Sequence, residues 1–493
     1  MQETEIKYIF QIEDLELIRP ALKKIGAKII SDSIKNAHTV YFDSQKCRLR
    51  KAHLELRVRE TNGQIVQTLK STPTSPSPIF VRMELEHHVS SMVPELKLIE
   101  NELKSNNIHR ITEAHLHPVF ETEIERQTIE VKWKKCLFHI DIDNGKTSSC
   151  RRKTRPRPIA ELELELVKGT KGDLLKFAAE LNEQLNLRLN GYSKADFGYA
   201  LAIPRFALKP VKWEMVSGQL PADASLKNLL NAAFLQLVKN NPELLRDRLE
   251  TIHQARVAIR RIRALLRGHK SQLDFLQRKG VNGELKWAQT KLGEARDWQV
   301  LQTESLPEIL PHLSVNPGML EAYVAKQTAH HLNSALAINS SRRFNRLLCR
   351  THLWIESLPD KPRKDARARS QRLRSDLRNF ERLGRMPARG FPAKIHELRI
   401  RTKKIRYMLE INEADSHGDN DSLISEAKSL QSLLGKFNDF SKTLELLSPA
   451  RTTELPVKMN SEIRKIIGDQ MDYLYMLAKA QFKRFKSVIR RRK

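Results

Sequence analysis

Charged residues occupy every second position in two short segments that lie far apart in this chain of 493 residues. Residues 3–7 read Glu-Thr-Glu-Ile-Lys, and residues 161–165 read Glu-Leu-Glu-Leu-Glu. In a β-strand this spacing places all the charged side chains on one face of the sheet. Buried carboxylates are tolerated only when they are paired or bound to a metal. The pattern therefore predicts strands that line a polar cavity.

The same alternation recurs in three segments between these two, with charges of both signs. The residues concerned are Arg57 and Arg59, then Arg82, Glu84 and Glu86, then Asp141 and Asp143. An antiparallel sheet with one solvated face is the alternative, and for a single strand it is the more common cause of such a pattern. Five strands rich in charge favour a lumen that holds cations and a polyanion together.

The net charge is very unevenly distributed along the chain. The whole sequence carries a net charge of +29 and has a pI near 10.0, which predicts an anionic partner. The first 205 residues hold 33 Lys and Arg against 28 Asp and Glu, a net charge of +5, and the remaining residues carry +24. We therefore expect the two parts of the chain to handle anions in different ways.

Four cysteines are scattered along the chain, without a CxxC pair or a metal-binding His and Cys spacing: Cys47, Cys136, Cys150 and Cys349. A reduced cytoplasmic protein without a zinc site is the simplest interpretation. No apolar run approaches the roughly 18 to 20 residues that span a bilayer, and the N-terminus lacks a signal-like core. We expect no membrane association.

The coarse pattern predicts an α+β chain with two modules. Residues 1–203 combine strands with a few helices, among them 14–25 and 173–186, and residues 71–78 form a Pro/Ser loop that is most simply an insertion. Residues 204–221 lack a clear period and predict a linker, whereas residues 222–490 fit a helical period almost throughout.

The helical part contains a repeat. His253 and His396 are each followed by basic residues at positions +3, +7, +8 and +10, and about 40 residues later by Leu292-Gly293 with Asp297, or by Leu434-Gly435 with Asp439. Duplication of a helical unit explains this best. On a helix, one stripe would contain His253, Arg256, Arg260 and Arg263, and its counterpart His396, Arg399, Lys403 and Arg406.

Four stacked cations on one helix repel one another, so an anionic partner is needed to offset that cost. The neighbouring residues Ile252, Ala255, Ile259, Ile262 and Leu266 form an apolar stripe that can anchor the first helix to a core. A polyanion lying between two pseudo-symmetric basic helices is the sharper hypothesis, and a merely solvated charged face is the alternative.

The histidines and aspartates of the repeat leave more than one role open. A helical His is most often a structural hydrogen-bonding group, a neutral donor to phosphate is the functional alternative, and metal binding is the weakest option. We expect Asp297 and Asp439 to be salt-bridge partners of the basic stripes rather than catalysts.

The charged residues of the N-terminal part suit polyphosphate hydrolysis. Glu3, Glu5, Glu161 and Glu163 supply hard oxygen ligands for Mg²⁺ or Mn²⁺. Seven cations can bind phosphoryl oxygens: Lys7, Arg57, Arg59, Lys70, Arg82, Arg126 and Lys194. The sequence contains no evident Ser-His-Asp or Cys-His set, so a metal-positioned water is the expected nucleophile.

These residues resemble the signature of the CYTH superfamily, the triphosphate tunnel metalloenzymes. The resemblance covers residues 1–203 and begins with the ExExK motif at Glu3, Glu5 and Lys7. It continues through Tyr41-Phe42-Asp43, Leu56-Arg57-Val58-Arg59, Thr68-Leu69-Lys70, Arg82-x-Glu84-x-Glu86, Arg126, the ELELEL strand, Ser193-Lys194-Ala195 and Gly198-Tyr199. It implies an eight-stranded antiparallel tunnel with an inward charged lining, in which the four glutamates bind metal and the seven cations bind triphosphate.

The duplicated helices look like the CHAD domain, the conserved-histidine α-helical domain. That resemblance covers residues 220–490 and implies binding of inorganic polyphosphate by the two basic stripes, with nucleic acid bound weakly if at all. The order of the two domains resembles bacterial inorganic triphosphatases. The chain departs from the pattern in residues 71–78 and in Thr402, which stands where the first repeat has Ile259.

Two other functions stay open from the sequence. The tunnel could act on an organic triphosphate such as thiamine triphosphate or ATP, with or without cyclase chemistry, although no aromatic cluster near the motifs indicates a pocket for a ring. Alternatively, the chain could be a non-catalytic binder of polyphosphate or nucleic acid. Carboxylates on both predicted metal-bearing strands argue against a pure anion binder.

Overall fold

Eight long antiparallel strands close into a barrel. They are β1 (Gln2–Ile9), β2 (Lys28–Ser44), β3 (Leu54–Thr61), β4 (Gln64–Ser71), β5 (Ile79–His88), β6 (Leu116–Trp133), β7 (Cys136–Ser149) and β8 (Arg157–Lys168). The order around the barrel is β5-β4-β3-β2-β6-β7-β8-β1, and pairing of β5 with β1 closes it. A short strand, β9 (Arg188–Asn190), also pairs with β1. The predicted eight-stranded antiparallel tunnel is confirmed.

The structure is a computed structural model, and it describes residues 2–71, 76–109, 111–218, 220, 224–269, 273–360, 366–413, 421–450, 452 and 454–491. Within the predicted Pro/Ser loop, Ser71 is the last residue of β4, and residues 72–75 lie outside the described part of the chain.

The barrel has a charged interior and an apolar exterior. On β3 the outward residues Leu56 and Val58 are buried, and they belong to a core that also contains Leu96, Ile99 and Leu103 from the segment after β5. Helical segments thus cover the apolar outer face of the barrel. Because that face forms the hydrophobic core, the alternate side chains on the same strands point into the tunnel.

Sixteen α-helices lie in the described part of the chain. They are α1 (Ile18–Lys24), α2 (Arg48–Lys51), α3 (Glu100–Ser105), α4 (Lys171–Gln184), α5 (Lys194–Ala202), α6 (Trp213–Ser217), α7 (Leu226–Lys239), α8 (Arg248–Gly268), α9 (Phe275–Val300), α10 (Leu306–Ile309), α11 (Pro317–Asn339), α12 (Arg342–Ser357), α13 (Ala366–Glu381), α14 (Pro392–Glu413), α15 (Asp421–Leu446) and α16 (Val457–Arg491). The helical C-terminal part is therefore confirmed. Among the described helices, none combines the length and apolarity needed to cross a bilayer.

The chain divides into two compact units. One comprises Met1–Leu220, Lys227–Ala288 and Ile338–Pro359, and the other comprises Pro221–Leu226, Gln289–Ala337 and Asp360–Lys493. The first unit thus contains the barrel together with α7, α8 and α12. This division does not follow the predicted limits 1–203, 204–221 and 222–490, which remain a prediction.

The described residues of the predicted linker 204–221 include helix α6 and pack within the first unit. Val211 and Val216 are buried in a cluster with Ala232 of α7. The side-chain amide of Asn240 donates to the carbonyl oxygen of Val211 at 2.8 Å and accepts from its backbone N–H at 2.9 Å. These contacts attach the segment to the end of α7.

Helix α12 packs against α4 on the outside of the barrel. The side-chain amide of Asn182 donates to the sulfur of Cys349 at 2.8 Å, and Cys349 also shares a hydrogen bond with the hydroxyl of Tyr8 on β1. At the other end of the two helices, Lys171 forms an ion pair with Glu356 at 3.1 Å. A helix of the C-terminal part is thus joined to the first strand of the barrel.

Candidate active site

Strand β1 places the predicted residues Glu3, Glu5 and Lys7 inside the tunnel. Glu5 and Lys7 are each only 3% exposed, although both are charged. Between them, Ile6 points to the outer face and is fully buried in the apolar layer. The first strand therefore presents a charged face to the lumen, as its alternation predicts.

The two glutamates of β1 are neutralised by cations from the adjoining strands. Glu3 lies 3.0 Å from the ammonium of Lys70 and 2.8 Å from Nε of Arg82. Glu5 forms ion pairs with Arg82 and, at 3.1 Å, with Lys7. Five predicted functional side chains thus lie close together in the lumen: Glu3, Glu5, Lys7, Lys70 and Arg82. Such pairing makes the burial of these charges tolerable.

Strand β8 contributes a second cluster around Lys194. The ammonium of Lys194 lies 2.8 Å from both Glu161 and Glu163, and 2.7 Å from Asp143. Glu163 also accepts a hydrogen bond from Arg126 at 3.1 Å and pairs with Lys7. The register places Glu163 directly opposite Lys7 on β1, so the two clusters are continuous.

Lys194 reaches the lumen because it is the first residue of α5. Ser193 caps this helix by accepting from the backbone N–H of Asp196 at 3.1 Å, and the Asp196 carboxylate accepts from the backbone N–H of Ser193 at 2.8 Å. This capping box fixes the first turn of the helix. Asp196 also pairs with Arg50 of α2, which attaches the helix to the barrel.

Arg57 and Arg59 line the same lumen from β3, but they contact other residues. Arg57 lies 3.4 Å from Glu84, and Nε of Arg59 donates to the hydroxyl of Thr39 at 3.1 Å. Burial, reinforced by the charges of Arg57 and Arg126, lowers the pKa of Arg59 to about 10. The charge of Arg59 is therefore poorly compensated by the surrounding protein.

Lys70 also has a depressed pKa. Burial lowers it to about 8, and the charges of Arg57 and Arg82 act in the same direction against the attraction of Glu3 and Glu5. A buried cation whose charged form is disfavoured gains from an additional anion nearby. Arg59 and Lys70 therefore indicate the part of the lumen that is best suited to an anionic ligand.

All eleven residues predicted for the tunnel thus line one lumen, but others there were not included in the predicted site. Asp141 and Asp143 pair with Arg126 at 2.6 Å each, and the alternation on β7 had already pointed to them. Glu165 continues the ELELE pattern. Asn190 donates to Glu161 at 3.0 Å, and the sequence contains no signal that would identify it.

Glu165 differs from the other tunnel carboxylates because its nearest charges are mostly negative. Burial raises its pKa to about 7, and the charges of Glu3, Asp141 and Glu5 add to the effect. By contrast, Arg126 and Lys194 outweigh the burial of Asp143 and lower the pKa of that carboxyl to about 2. The positions of the cations therefore decide which carboxylates are ionised at neutral pH.

The carboxylates of the tunnel fit a divalent metal in their chemistry. Glu3, Glu5, Glu161 and Glu163 are hard oxygen donors on the neighbouring strands β1 and β8, which is the ligand type that Mg²⁺ and Mn²⁺ prefer. In the described part of the chain, no three Asp, Glu, His or Cys side chains form a ready-made metal site. Each of these four glutamates instead faces a Lys or Arg, so metal binding requires exchange of an ion pair.

Helix α8 carries the first predicted basic stripe. Ile252, Ala255, Ile259, Ile262 and Leu266 are all buried, so the predicted anchoring stripe lies in the core. The adjoining side chains are half-buried: His253, Arg256, Arg260 and Arg263. Burial lowers the pKa of Arg263, and the nearby charge of Arg267 contributes. The cations of this stripe thus lie beside one another along the edge of the core.

Helix α14, in the second unit, carries the other stripe. His396 is exposed and its Nδ1 lies 2.6 Å from the side-chain oxygen of Asn438, while Arg399, Lys403 and Arg406 are half-buried. Thr402 is buried, and its hydroxyl donates to the carbonyl oxygen of Leu398 at 2.9 Å. Because this hydrogen bond satisfies the hydroxyl, Thr402 can occupy the buried position that Ile259 has in the first repeat. Burial raises the pKa of Asp439, and the charge of Arg399 opposes that rise. The expected salt bridge between this aspartate and the stripe stays a prediction.

Family models match both parts of the chain. The model of the CYTH domain matches residues 1–199, and the model of the CHAD domain matches residues 228–448. The chain is a CYTH domain followed by a CHAD domain. The resemblance inferred from the motifs is confirmed. CYTH tunnel domains are found in triphosphatases and cyclases, and the family uses a divalent metal ion.

Three solved structures are similar to parts of this CYTH–CHAD chain. The CHAD domain from the plant Ricinus communis is 23% identical, with 57% of this chain and 95% of that chain aligned at a TM-score of 0.44. PptA from Streptomyces chartreusis is 20% identical, with 53% and 97% aligned at a TM-score of 0.42. The putative adenylyl cyclase HpAC1 from Hippeastrum, described as having a dominant triphosphatase activity, is 18% identical, with 40% and 95% aligned at a TM-score of 0.31.

Proposed function

We propose that the tunnel hydrolyses inorganic triphosphate to diphosphate and phosphate with Mg²⁺ or Mn²⁺. The observation that carries this proposal is that seven Lys and Arg side chains line the lumen of one closed barrel, with Arg59 and Lys70 held there at depressed pKa values. Such cations favour a compact and highly charged anion. The CYTH family of the domain supports a triphosphate as that anion.

The substrate-binding role falls to the seven tunnel cations. Lys7, Arg57, Arg59, Lys70, Arg82, Arg126 and Lys194 lie on several strands around the lumen and on α5. Arg guanidinium groups hold phosphoryl oxygens through two parallel hydrogen bonds, and Lys supplies a point charge. A phosphate chain in the lumen would take over ion pairs that the carboxylates now make, and those carboxylates would then be available as ligands.

Glu3, Glu5, Glu161 and Glu163 would hold the divalent ion. When bound, such an ion neutralises charge that develops on the transferred phosphoryl group and supplies an activated water. The protein contributes the orientation of the carboxylates and a lumen with little access for bulk water, in which electrostatic interactions are stronger than in solution.

We further propose that the stripes of α8 and α14 bind inorganic polyphosphate, and duplex nucleic acid only weakly. Cations that follow one another along a helix, fixed beside a buried apolar stripe, suit a thin anionic chain that runs along that helix. The excess of +24 in residues 206–493 supports the same assignment. The four free cysteines agree with a cytoplasmic location, which we propose for the protein.

A phosphate-release assay with a matched pair of variants tests the tunnel assignment. Glu5→Gln removes one tunnel carboxylate at constant volume, whereas Glu123→Gln changes an exposed glutamate on the outside of β6. Each protein is given inorganic triphosphate, ATP or thiamine triphosphate with Mg²⁺ or Mn²⁺. We expect turnover of inorganic triphosphate to fall about 100-fold or more in Glu5→Gln, the scale set by removing one preorganised catalytic group.

The control variant should retain the full rate. Unchanged turnover by Glu5→Gln at saturating metal would contradict the metal assignment. Preference for thiamine triphosphate or ATP over inorganic triphosphate would contradict the substrate assignment and favour the organic alternative.

A further inference from the structure

Three hydrogen bonds connect the carboxylate of Glu161 to the end of helix α7. The side-chain amide of Asn190 donates to Oε1 of Glu161 at 3.0 Å. The backbone N–H of Tyr192 donates to Oδ1 of Asn190 at 3.0 Å. The hydroxyl of Tyr192 donates to the carbonyl oxygen of Lys239, the last residue of α7, also at 3.0 Å. The tunnel lining is thus joined to a helix that lies within the span of the CHAD match.

The connection is buried along its length. Asn190 is 1% exposed, Tyr192 is 4% exposed and Glu161 is 6% exposed. Because Oδ1 of Asn190 accepts from a backbone N–H, its NH₂ group must be the end that faces Glu161. One oxygen of Glu161 is therefore held by Asn190, and the other, Oε2, lies 2.8 Å from Lys194 in the lumen. The two carboxylate oxygens of Glu161 thus have different partners, Asn190 and Lys194.

The contact between α7 and the loop of Tyr192 is close. A Cβ atom on Gly191 would lie 2.9 Å from Cγ of Lys239 and 3.3 Å from Cγ1 of Val238, so a side chain at this position would require the Lys239 side chain to shift. The ammonium of Lys239 lies 5.0 Å from the ring centre of Tyr192, which adds a cation–π contact. The end of α7 is therefore packed closely against the loop that carries Tyr192.

We infer that Asn190 and Tyr192 are positioning residues for the metal-binding carboxylate of Glu161, anchored on helix α7. The catalytic consequence rests on the proposed function, but the effect on metal binding does not require turnover. Groups that orient a metal ligand typically contribute about 10- to 100-fold to metal affinity. Helix α7 is accordingly part of the framework that builds the tunnel site, and the CYTH match does not contain the whole of that framework.

The test uses the full-length protein and Mn²⁺ alone as the first probe. Isothermal titration with Mn²⁺, without substrate, is compared for the wild type, Asn190→Ala and Tyr192→Phe. The control is Tyr199→Phe, which also removes a buried hydroxyl, one that donates to Asp43 at 2.8 Å and not to Glu161, Asn190 or the end of α7. We expect the dissociation constant for Mn²⁺ to rise about 10-fold in Asn190→Ala and by a smaller factor in Tyr192→Phe, with no change in the control.

Steady-state kinetics with inorganic triphosphate give the second readout. We expect kcat at fixed subsaturating Mn²⁺ to fall in Asn190→Ala and Tyr192→Phe, with KM for triphosphate unchanged, because the tunnel cations are intact. Saturating Mn²⁺ should restore much of the loss in Tyr192→Phe. A merely structural defect would lower the folded fraction without this dependence on metal concentration.

The outcomes separate the inference from the proposed function. Wild-type Mn²⁺ affinity in folded Tyr192→Phe and Asn190→Ala would overturn the inference and leave the proposed function standing. If Asn190→Ala does not fold, Tyr192→Phe alone decides. If the wild type binds Mn²⁺ and the variants bind it more weakly, but no triphosphate is hydrolysed, the positioning role stands and the proposed function fails.

Discussion

The tunnel and the basic stripe of α8 both contain clustered cations, but their charges are arranged differently. In the tunnel, cations such as Lys194 and Arg126 lie within 2.6 to 3.1 Å of carboxylates, in an almost fully buried lumen. On α8, side chains such as Arg256 and Arg260 are half-buried and follow one another along one helix edge. The tunnel combines both signs of charge, whereas the stripe concentrates one sign.

This difference decides what kind of ligand each region can select. Two charges 4 Å apart interact by about 4 kcal/mol at an effective dielectric constant of 20, against about 1 kcal/mol in water. In the tunnel, a ligand and its metal must replace existing ion pairs in a fixed geometry, so shape and charge count matter. Along the stripe, the proposed binding of a polyanion would be driven by release of counterions, so salt concentration would matter more than shape.

The greatest loss of stability is expected at a tunnel residue to which the sequence assigned no metal-binding or substrate-binding role. Asp143 is fully buried and pairs with Arg126 at 2.6 Å and with Lys194 at 2.7 Å. Asp143→Asn leaves two buried cations with one partner fewer, and breaking such a pair costs about 3 to 5 kcal/mol. We expect that loss in the free energy of unfolding, measured by urea denaturation.

The matched control is Glu123→Gln, which breaks an exposed pair with Lys146 at 3.0 Å. Exposed pairs contribute about 0 to 1 kcal/mol, so this variant should unfold almost as the wild type does. Equal losses of unfolding free energy in the two variants would mean that the buried ion pairs of the tunnel stabilise the fold no more than exposed ion pairs do.

The next effect concerns His352 of α12, a buried titratable group outside the tunnel but in the same compact unit. Burial lowers its pKa to about 4, although Glu356 opposes the shift while Lys171 and Lys227 reinforce it. In the unfolded chain His352 binds a proton as the pH falls through about 6.5, whereas in the folded chain it stays neutral until about pH 4. The contribution of His352 to the free energy of unfolding is therefore fully present above about pH 6.5. It is lost as the pH falls towards 4, by up to about 3 kcal/mol.

We expect His352→Gln to reduce the loss of stability between pH 7.5 and pH 5, measured by urea denaturation at each pH. This window lies above the pKa of Glu356, which is held at about 2 despite its burial by Lys171, His352 and Lys227. If the stability of His352→Gln depends on pH as that of the wild type does, the burial of His352 does not depress its pKa. Buried ionisable groups would then affect stability in the tunnel but not beside α12.

The smallest change per residue is expected on the stripes. Charge reversal at Arg260 and Lys403 together should weaken binding of long-chain polyphosphate and reduce the slope of log affinity against log salt, by about 1 for each phosphate that the variant no longer binds. Fluorescence anisotropy across a salt series measures both quantities. Hydrolysis of inorganic triphosphate in the tunnel should stay unchanged.

Reversal at the exposed Lys458 and Lys479 of α16 gives the same net charge without touching either stripe. This control should retain most of the affinity and the salt slope. Duplex DNA should bind more weakly than polyphosphate to the wild type at about 0.15 M salt. Equal effects of the two double variants, or tighter binding to DNA, would contradict the polyphosphate assignment.

The alternation of charges made the tunnel predictable, because a period of two fixes which face of a strand each side chain occupies. Glu5, Lys7 and Glu163 lie in the lumen for that reason alone. The same logic applies to Ile259 and Ile262, whose helical spacing places them in the core. Local periodicity thus determined both the lining of the barrel and the orientation of α8.

Interactions between elements distant in sequence could not be predicted. Asn190 lies on a strand of three residues, and its role depends on the register that places it opposite Lys7 on β1. For Tyr8, the period of two predicts only that the side chain faces outward from the barrel. Its hydrogen bond with Cys349 depends on where α12 packs. Periodicity gives the face of an element but not the partner of that face, so the helices that complete the first unit emerged only from the structure.

Analysis of the reaction products by ³¹P nuclear magnetic resonance is the decisive test of the proposal that the tunnel cleaves inorganic triphosphate. The full-length protein is mixed with inorganic triphosphate, and separately with ATP, in the presence of Mg²⁺ or Mn²⁺. We predict equimolar diphosphate and phosphate from triphosphate, with little conversion of ATP. Conversion of ATP to a cyclic nucleotide and diphosphate, with inorganic triphosphate left intact under both metals, would show that the tunnel is a cyclase and not an inorganic triphosphatase.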